Sequence, residues 1–446
     1  MPATWLIERL KQWEEERAIV WRDKTFIYRD LLEAIAYWVQ ELNVHHILSG
    51  DVVVIEGDYS LNSCGLLLAL IQRKSIIVPM TKVSGPRREE FLKITEAQYV
   101  FSFNEQDKWK IERRNSTATH ALIKKLTEMN EPGLVLFSSG STGKNKAALH
   151  NFSKLIEKFK RPGHCFCTIS FLLFDHIGGL NTLFYTLSNG GTVVTTEERS
   201  AEAVCKVIEK FGVELLPTTP TFLNLLLISE AYLNYDLSSL KLITYGTEAM
   251  PESLLKRVQR VFPKVRMLQT YGLSEVGILS SKSKDSSSTW VKVGGEGFET
   301  KVIDRILWIK TESAMIGYLN APNPFDQDGW INTGDIVEVD GDYIRILGRQ
   351  SEVINVGGLK VYLAEVEAVL MEMENVRSAS VRGEKNPITG NIVVAKLFLG
   401  KPEELSNLKK RVREFCKDRL ETYKIPVRIE LGDELLRTDR FKKMRK

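Results

Sequence analysis

The stretch FSSGSTGKNKAALH, from Phe137 to His150, concentrates side chains that could bind an anion, and it continues the apolar run LVLF. Its glycines let backbone N–H groups approach a ligand, and its hydroxyl and ammonium groups can donate hydrogen bonds. The composition therefore indicates a phosphate-binding loop. The pattern G-x-x-x-x-G-K-[ST], aligned on Gly143 and Lys144, does not fit, because it requires glycine at Ser138 and a hydroxyl at Asn145. Taken alone, such a stretch is more often a solvated turn.

Three other stretches carry side chains that could bind a nucleotide or a metal. QTYGLSE (269–275) offers the ring of Tyr271 and the carboxylate of Glu275, but a buried tyrosine beside a helix-capping Ser-x-Glu pair explains it equally well. Asp335 in INTGD follows a glycine, where an aspartate is usually a turn former. The basic ending RTDRFKKMRK, from Arg437, has the composition of a frayed tail. None of the three by itself identifies a site.

The five cysteines are sparse in a chain of this length. Cys165-x-Cys167 has no partner pair, and zinc needs three or four converging ligands. We interpret the cysteines as reduced thiols of a cytosolic protein.

The length and the net charge of the chain limit the number of domains and the kinds of partner that can be expected. The 446 residues are too many for one compact core and predict two or three domains or subdomains. The net charge of +4 gives no reason to expect a nucleic-acid or membrane partner. The amphipathic, acidic start is unlike a signal peptide, and Gln72, Arg73 and Lys74 interrupt the longest apolar runs. We therefore expect a cytoplasmic protein.

The apolar pattern of the first half favours alternating strands and helices. DVVVIEG predicts a buried strand, LNSCGLLLALIQRK a helix and SIIVPM a second strand, which together form a βαβ unit. The pattern returns in AEAVCKVIEKFGV, ELLPTTP, LKLITYGTE and MPESLLKRVQRVFP, and then shorter strands follow, as in KVIDRILWIKT. Such alternation predicts an α/β fold with parallel or mixed sheets covered by helices.

The pattern of predicted helices and strands changes near Gly348. RQSEVINVGG predicts a turn-rich connector, after which LAEVEAVLMEME and ELSNLKKRVREFCKDRLE predict helices and RSASVRG, NIVVAKLFLG and IPVRIELGD predict strands. This is a compact α+β unit of about a hundred residues, a common domain size. We predict a large domain over residues 1–348 and a small domain over 349–446, with the boundary at Gly348 to Glu352.

Four stretches occur in a fixed order: SSGSTGKNK (138–146), QTYGLSE (269–275), GWINTGD (329–335) with ILGR (346–349), and LRTDRFKKMR near the end. In this order they resemble the AMP-forming adenylate enzymes, which comprise acyl- and aryl-CoA synthetases, peptide-synthetase adenylation domains and luciferases. The resemblance covers nearly the whole chain. It implies ATP and Mg²⁺ as ligands, an acyl-adenylate intermediate, and a thiol acceptor that we expect to be coenzyme A.

The resemblance assigns the first stretch to the loop S-G-[ST]-T-G-x-P-K-G, which wraps the β- and γ-phosphates of ATP. Asn145 and Ala147 depart mildly from that pattern. The matching residues, which the resemblance implies contact the nucleotide, are Ser138, Ser139, Gly140, Ser141, Thr142, Gly143 and Lys146.

The remaining nucleotide contacts follow from the same resemblance. Tyr271 would lie on the adenine face, Ser274 would donate to the α-phosphate, and Glu275 would hold Mg²⁺. Asp335 would accept the ribose hydroxyls, and Arg349 would also reach the ribose. Further family positions around the adenine and the thiol are Gly246, Thr247, Glu248, Gly272, Gly357 and Gly358.

Catalytic roles are implied for Lys442, His176 and Thr142. Lys442 falls on the lysine that bridges the substrate carboxylate and the α-phosphate, where a cation stabilises charge that develops during attack. Lys443 is adjacent and leaves a second register open. Aligned on IGGL, His176 matches a gate between the ATP and acyl sites; aligned on Phe174-Asp175, the segment matches the F-D motif of amino-acid adenylation domains. We prefer the first alignment because the glycines continue the match.

The motifs say less about the identity of the thiol acceptor and of the carboxylic acid substrate. The resemblance implies that the small domain is mobile about a hinge at 349–352. The hinge position holds Ser351 instead of Asp or Lys, and the later I-x-P becomes Val361-Tyr362-Leu363. These departures leave open a phosphopantetheine on an acyl carrier protein as acceptor, an amino-acid adenylation enzyme, or a non-catalytic nucleotide-binding protein. Because Gly178 and Gly179 leave room, we expect a small carboxylic acid with an aryl or medium acyl group.

Overall fold

The computed structural model describes residues 4–81, 85–139 and 145–432. Within these ranges the α-helices are α1 (Thr4–Leu10), α2 (Tyr28–Val44), α3 (Leu61–Arg73), α4 (Gly85–Ile94), α5 (Ala121–Glu128), α6 (Phe152–Ile156), α7 (Ile177–Ser188), α8 (Ala201–Phe211), α9 (Pro220–Ser229), α10 (Glu252–Val261), α11 (Leu363–Leu370) and α12 (Leu405–Lys417). Short 3₁₀ turns cover Lys11–Trp13, Glu157–Lys160, Ala231–Leu233, Gln350–Glu352 and Thr422–Lys424.

The strands of the same ranges are β1 (Arg17–Trp21), β2 (Lys24–Ile27), β3 (Val52–Glu56), β4 (Ile76–Met80), β5 (Tyr99–Phe103), β6 (Trp109–Arg113), β7 (Gly133–Ser139), β8 (Asn145–Asn151), β9 (Cys167–Ile169), β10 (Thr192–Val194), β11 (Leu215–Thr218), β12 (Leu242–Tyr245), β13 (Arg266–Gln269), β14 (Gly272–Leu273), β15 (Gly277–Ile278), β16 (Ser281–Ser283), β17 (Val291–Val293), β18 (Phe298–Ile303), β19 (Ile306–Thr311), β20 (Gly317–Tyr318), β21 (Ile331–Asp340), β22 (Tyr343–Arg349), β23 (Val353–Val356), β24 (Leu359–Tyr362), β25 (Val376–Asn386), β26 (Gly390–Leu399) and β27 (Arg428–Leu431).

Two large mixed sheets form most of the first 320 residues. One has the strand order β13-β12-β11-β9-β10-β1-β2, and the other has the order β20-β8-β7-β4-β3-β5-β6. β3 and β4 pair in parallel around α3, so the predicted βαβ unit is confirmed. A hydrophobic cluster that includes Trp38, Leu67 and Phe184 fills the space between the sheets, as expected for parallel strands covered on both faces.

Local capping residues explain where the helices near the site begin. Ser60 accepts a hydrogen bond from the Ser63 N–H before α3, at 3.0 Å. Thr219 accepts from the Phe222 N–H before α9, at 3.1 Å, and Pro220 takes the first helical position, where its missing N–H costs nothing. Both caps hold helix N-termini next to the carboxyl ends of parallel strands.

The third sheet is antiparallel, with the order β16-β17-β22-β21-β19-β18. The segment KVIDRILWIKT, which the pattern predicted as one strand, is a hairpin that turns at Asp304 and Arg305. Both turn residues have positive φ, 51° and 65°. The apolar alternation continues through the turn, so periodicity alone could not reveal it.

A small α+β unit follows, with its own core. The sheet β25-β26-β27 carries α11 and α12, and a cluster of buried residues from Ile354 to Ile429 packs between them. The predicted connector at 349–358 contains a 3₁₀ turn and the hairpin strand β23, which pairs with β24. A large N-terminal part and a small C-terminal part are therefore present, and the exact boundary at 348–352 stays a prediction.

The cysteines are all free thiols, and only Cys165 is exposed. Among the described residues, no helix combines the length and the apolar character needed to cross a membrane.

Candidate nucleotide and acyl-transfer site

The candidate phosphate loop joins β7 to β8. Ser138 pairs with Lys146, and Ser139 with Asn145, across the antiparallel ladder. Asn320 supports the start of β8: its amide donates to the Asn145 carbonyl at 2.9 Å and accepts from the Ala147 N–H at 2.9 Å. Four of the residues assigned from the sequence, Gly140, Ser141, Thr142 and Gly143, lie outside the described residues.

β20 brings a tyrosine to the loop. Tyr318 pairs with Ala148, and its ring lies under the Lys146 ammonium, with 5.0 Å between Nζ and the ring centroid. The Tyr318 hydroxyl donates to a Glu275 carboxylate oxygen. Burial and the Glu275 charge raise the pKa of Tyr318, so the phenol keeps its proton. The candidate metal carboxylate and the candidate phosphate lysine thus share one neighbour.

The Ser274–Glu275 backbone is fixed by a buried histidine. His150 is fully buried, and its Nε2 lies 2.7 Å from the Ser274 carbonyl oxygen. Burial lowers the pKa of His150 to about 4, so the imidazole is neutral at pH 7 and Nε2 carries the donated proton. His150, Tyr318 and Asn320 were not identified from the sequence. Of these three residues, only His150 lies in one of the stretches singled out in the sequence, where it is the last residue of 137–150.

Asp335 lies in a polar cluster with the buried Tyr271 and with Arg349, whose side chain is 53% exposed. Asp335 is 6% exposed, and its carboxylate accepts from the Tyr271 hydroxyl at 2.5 Å and from Arg349 Nε at 3.2 Å. Burial raises the pKa of Asp335, while the Arg349 charge lowers it. Gly334, with φ of 71°, makes the turn that aims Asp335 inward, and the Thr333 hydroxyl accepts from the Asp335 N–H at 3.0 Å.

Tyr271 is buried in the core of the third sheet with Leu273 and Val276. A buried tyrosine was one of the two interpretations of Tyr271 that the sequence allowed, and this environment agrees with it. The proposed contact of its ring with adenine stays a prediction.

The segment YGTE lies at the carboxyl end of β12. A Cβ at Gly246 would lie 2.6 Å from the Thr270 hydroxyl, so the backbone there must approach that of residue 270 closely. Thr247 is exposed with φ of 72°, a conformation that side chains rarely adopt. Glu248 accepts from the Thr221 hydroxyl at 2.6 Å, which ties the segment to the start of α9. β11, β12 and β13 are parallel, so these loops share one sheet edge.

His176 begins α7, and its Nδ1 accepts from the Gly178 N–H at 3.1 Å. In the neutral ring the proton is therefore on Nε2. Gly178 and Gly179 leave no empty space at their own Cβ positions, although Gly179 lines a small cavity with Tyr59 and Phe171. A Cβ at Gly179 would overlap the Leu173 carbonyl oxygen, and one at Gly178 would lie 3.0 Å from Leu172 Cδ1. The glycines allow α7 to pack closely, so they do not indicate the size of the acid.

The C-terminal candidates fall into two groups. Gly357 and Gly358 form the exposed turn between β23 and β24, with φ of 57° and 87°. The Gly357 N–H donates to the Thr389 carbonyl at 2.8 Å, which joins this turn to the β25–β26 turn. Lys442 and Lys443 lie outside the described residues.

Two family models match the chain. The model described as AMP-binding enzyme matches residues 6–319, and the model of the AMP-binding enzyme C-terminal domain matches residues 365–442.

Individual relatives agree with these matches. A 2-succinylbenzoate–CoA ligase of Bacillus subtilis (strain 168) is 26% identical over 491 aligned residues, covering 99% of this chain and 96% of that protein. An indoleacetate–CoA ligase of Aromatoleum aromaticum is 30% identical over 338 residues, covering 69% of this chain and 64% of that protein. The fold is similar to that of an anthranilate CoA ligase in complex with anthranoyl-AMP, with a TM-score of 0.84 at 19% identity and coverage of 99% and 95%.

Proposed function

The chain belongs to the family of AMP-binding enzymes, and on that premise we propose that it joins a small carboxylic acid to coenzyme A through an acyl-adenylate. It is an AMP-forming carboxylate–CoA ligase that uses ATP and Mg²⁺. In the first step the acid attacks the α-phosphorus of ATP and pyrophosphate leaves. In the second step a thiol attacks the acyl carbon and AMP leaves.

One observation supports the nucleotide site above the others: motifs far apart in sequence converge on one place. Lys146, Tyr318 and Glu275 are neighbours, and the Glu275 charge is close enough to raise the pKa of Asp335. Arg349, which donates to Asp335, is also close enough to Tyr318 for its charge to offset part of the rise in the Tyr318 pKa that burial and Glu275 cause. A nucleotide whose phosphates lie at the β7–β8 loop and whose ribose lies at Asp335 would span this arrangement.

The residues around Glu275 fit a magnesium ion. Among residues 4–81, 85–139 and 145–432 the carboxylate accepts from a neutral phenol and forms no ion pair, so its charge remains available to a metal. A carboxylate together with substrate phosphates is the usual way in which proteins hold Mg²⁺. When bound, the ion neutralises phosphate charge; Glu275 orients it, and Lys146 adds a second positive charge beside the loop.

We assign the acid to the aryl or medium-chain acyl class. The named relatives act on 2-succinylbenzoate and indoleacetate, and the similar fold was solved with anthranoyl-AMP. Their shared feature is an aromatic ring near the carboxylate. We place the acid between the start of α7 and the loops after β11 and β12.

The function is tested by incubating the chain with Mg·ATP, coenzyme A and a panel of benzoate, anthranilate, 2-succinylbenzoate, indoleacetate and hexanoate. We expect AMP, pyrophosphate and a thioester with at least one acid, and a hydroxamate when hydroxylamine replaces the thiol. ADP and orthophosphate as main products would refute the proposal. Glu275→Gln is the matched variant and should lower turnover about 10–100-fold.

The acceptor is tested in the same assay. We expect coenzyme A to consume the adenylate. If only a pantetheinylated carrier protein received the acyl group, coenzyme A would be wrong as the acceptor, and the proposed adenylation step would stand. Failure of every acid to release pyrophosphate would favour a non-catalytic nucleotide-binding protein.

A further inference from the structure

Glu275 is held at three points, although no pattern in the sequence suggests it. Its own carbonyl accepts from the Met315 N–H at 2.8 Å, and the preceding Ser274 carbonyl accepts from His150. Its side chain accepts from Tyr318. The backbone and the carboxylate are therefore fixed independently.

The strand pairing explains why Tyr318 can serve both Lys146 and Glu275. β20 is only two residues long, and Tyr318 pairs with Ala148, two positions after Lys146. Side chains two apart on a strand point to the same face, and the Lys146 ammonium lies over the Tyr318 ring. The phenol tip extends beyond that contact to Glu275, 43 positions earlier in the chain.

We propose that Tyr318 is a positioning residue for Glu275: its hydroxyl holds one carboxylate oxygen so that the other is presented to Mg²⁺, and His150 fixes the backbone beneath. The inference rests on the proposed function, because Mg²⁺ at Glu275 belongs to it. Mg²⁺ demands near-ideal octahedral geometry, so a carboxylate with a fixed rotamer binds it with less loss of freedom. Hydrogen-bond partners of metal ligands commonly have this effect.

The choice of a phenol is chemically specific. A lysine or arginine at this position would also hold Glu275, but it would neutralise the charge that the metal needs. The Tyr318 ring instead contacts the Lys146 ammonium, while its hydroxyl contacts the Glu275 carboxylate. A neutral donor thus orients Glu275 while leaving its charge in place.

The experiment is a titration of N-methylanthraniloyl-ATP fluorescence with free Mg²⁺, which needs no acid and no turnover. Tyr318→Phe keeps the ring under Lys146 and removes only the hydroxyl. We expect the Mg²⁺ concentration for half-maximal binding to rise about tenfold or more. Affinity for the nucleotide in EDTA should stay at the parental value.

Two comparisons make the result specific. In a Glu275→Gln background, adding Tyr318→Phe should cause no further shift, since the oriented carboxylate is absent. Tyr28→Phe is the matched control: Tyr28 is fully buried and donates to the Gly191 carbonyl at 2.7 Å, in a different part of the fold. It should lower thermal stability without moving the Mg²⁺ midpoint.

An unchanged Mg²⁺ midpoint in Tyr318→Phe, or an equal loss of affinity in EDTA and in Mg²⁺, would overturn the positioning role. Failure of the proposed function is a different result. In that case the parent would bind the nucleotide in a Mg²⁺-dependent way but release no pyrophosphate with any acid. A parent that binds without any Mg²⁺ dependence would remove Glu275 as the metal ligand and the inference with it.

Discussion

At the scale of single residues, the buried His150 makes the stability of the protein depend on pH. Burial lowers its pKa to about 4, below the usual 6.5, so its contribution to stability is complete above pH 6.5 and is lost as the pH falls through 4. The free energy of unfolding should therefore drop by about 3 kcal/mol more in the parent than in His150→Gln over that window. Denaturant titrations at several pH values measure it. The exposed His164, changed to Gln, is the control, and a parental loss no larger than that of His150→Gln would contradict the buried neutral state.

At the scale of elements, α7 depends on a glycine that contacts backbone. A methyl group at Gly179 would meet the Leu173 carbonyl, which cannot move without shifting the helix, whereas Gly178 faces the flexible end of Leu172. We expect Gly179→Ala to lower the free energy of unfolding by about 1–3 kcal/mol, the usual cost of overpacking. Gly178→Ala should lose less, because alanine also favours the helix. Equal stability of the two variants, measured by urea unfolding, would show that α7 does not pack as described.

At the scale of the whole molecule, side-chain contacts among the described residues join the small C-terminal part to the large one. Asn224 on α9 donates to the Arg377 carbonyl at 3.0 Å, and the Arg305 guanidinium lies 5.8 Å from the Tyr362 ring centroid. Rotation about residues 349–352 between half-reactions would break both contacts. Ser351→Pro fixes φ near −65° in the exposed 3₁₀ turn, so we expect it to form the adenylate at the parental rate and to stall before thioester formation. Single-turnover kinetics measure both steps; Ser351→Ala is the control, and a parental thioester rate in the proline variant would rule out this hinge.

Elements with a strong local pattern could be predicted from the amino-acid sequence. The β3–α3–β4 unit follows from the apolar periodicity within each of its short segments. The order of the motifs also indicated the family, since each motif keeps its residues in one short stretch.

Contacts between residues that are far apart in sequence could not be predicted and are known only from the folded chain. Tyr318 and Glu275 are 43 positions apart, Tyr271 and Asp335 are 64 apart, and His150 and Ser274 are 124 apart. Their contacts depend on strand order and register, above all on the two-residue pairing of β20 with β8. Local propensity carries no information about such pairings, because the free energy that selects them comes from burial shared by distant segments. Gly178 and Gly179 suggested open space because a sequence does not show which groups lie next to a glycine. In the folded chain, Leu172, Leu173 and Tyr59 occupy the space next to these two glycines.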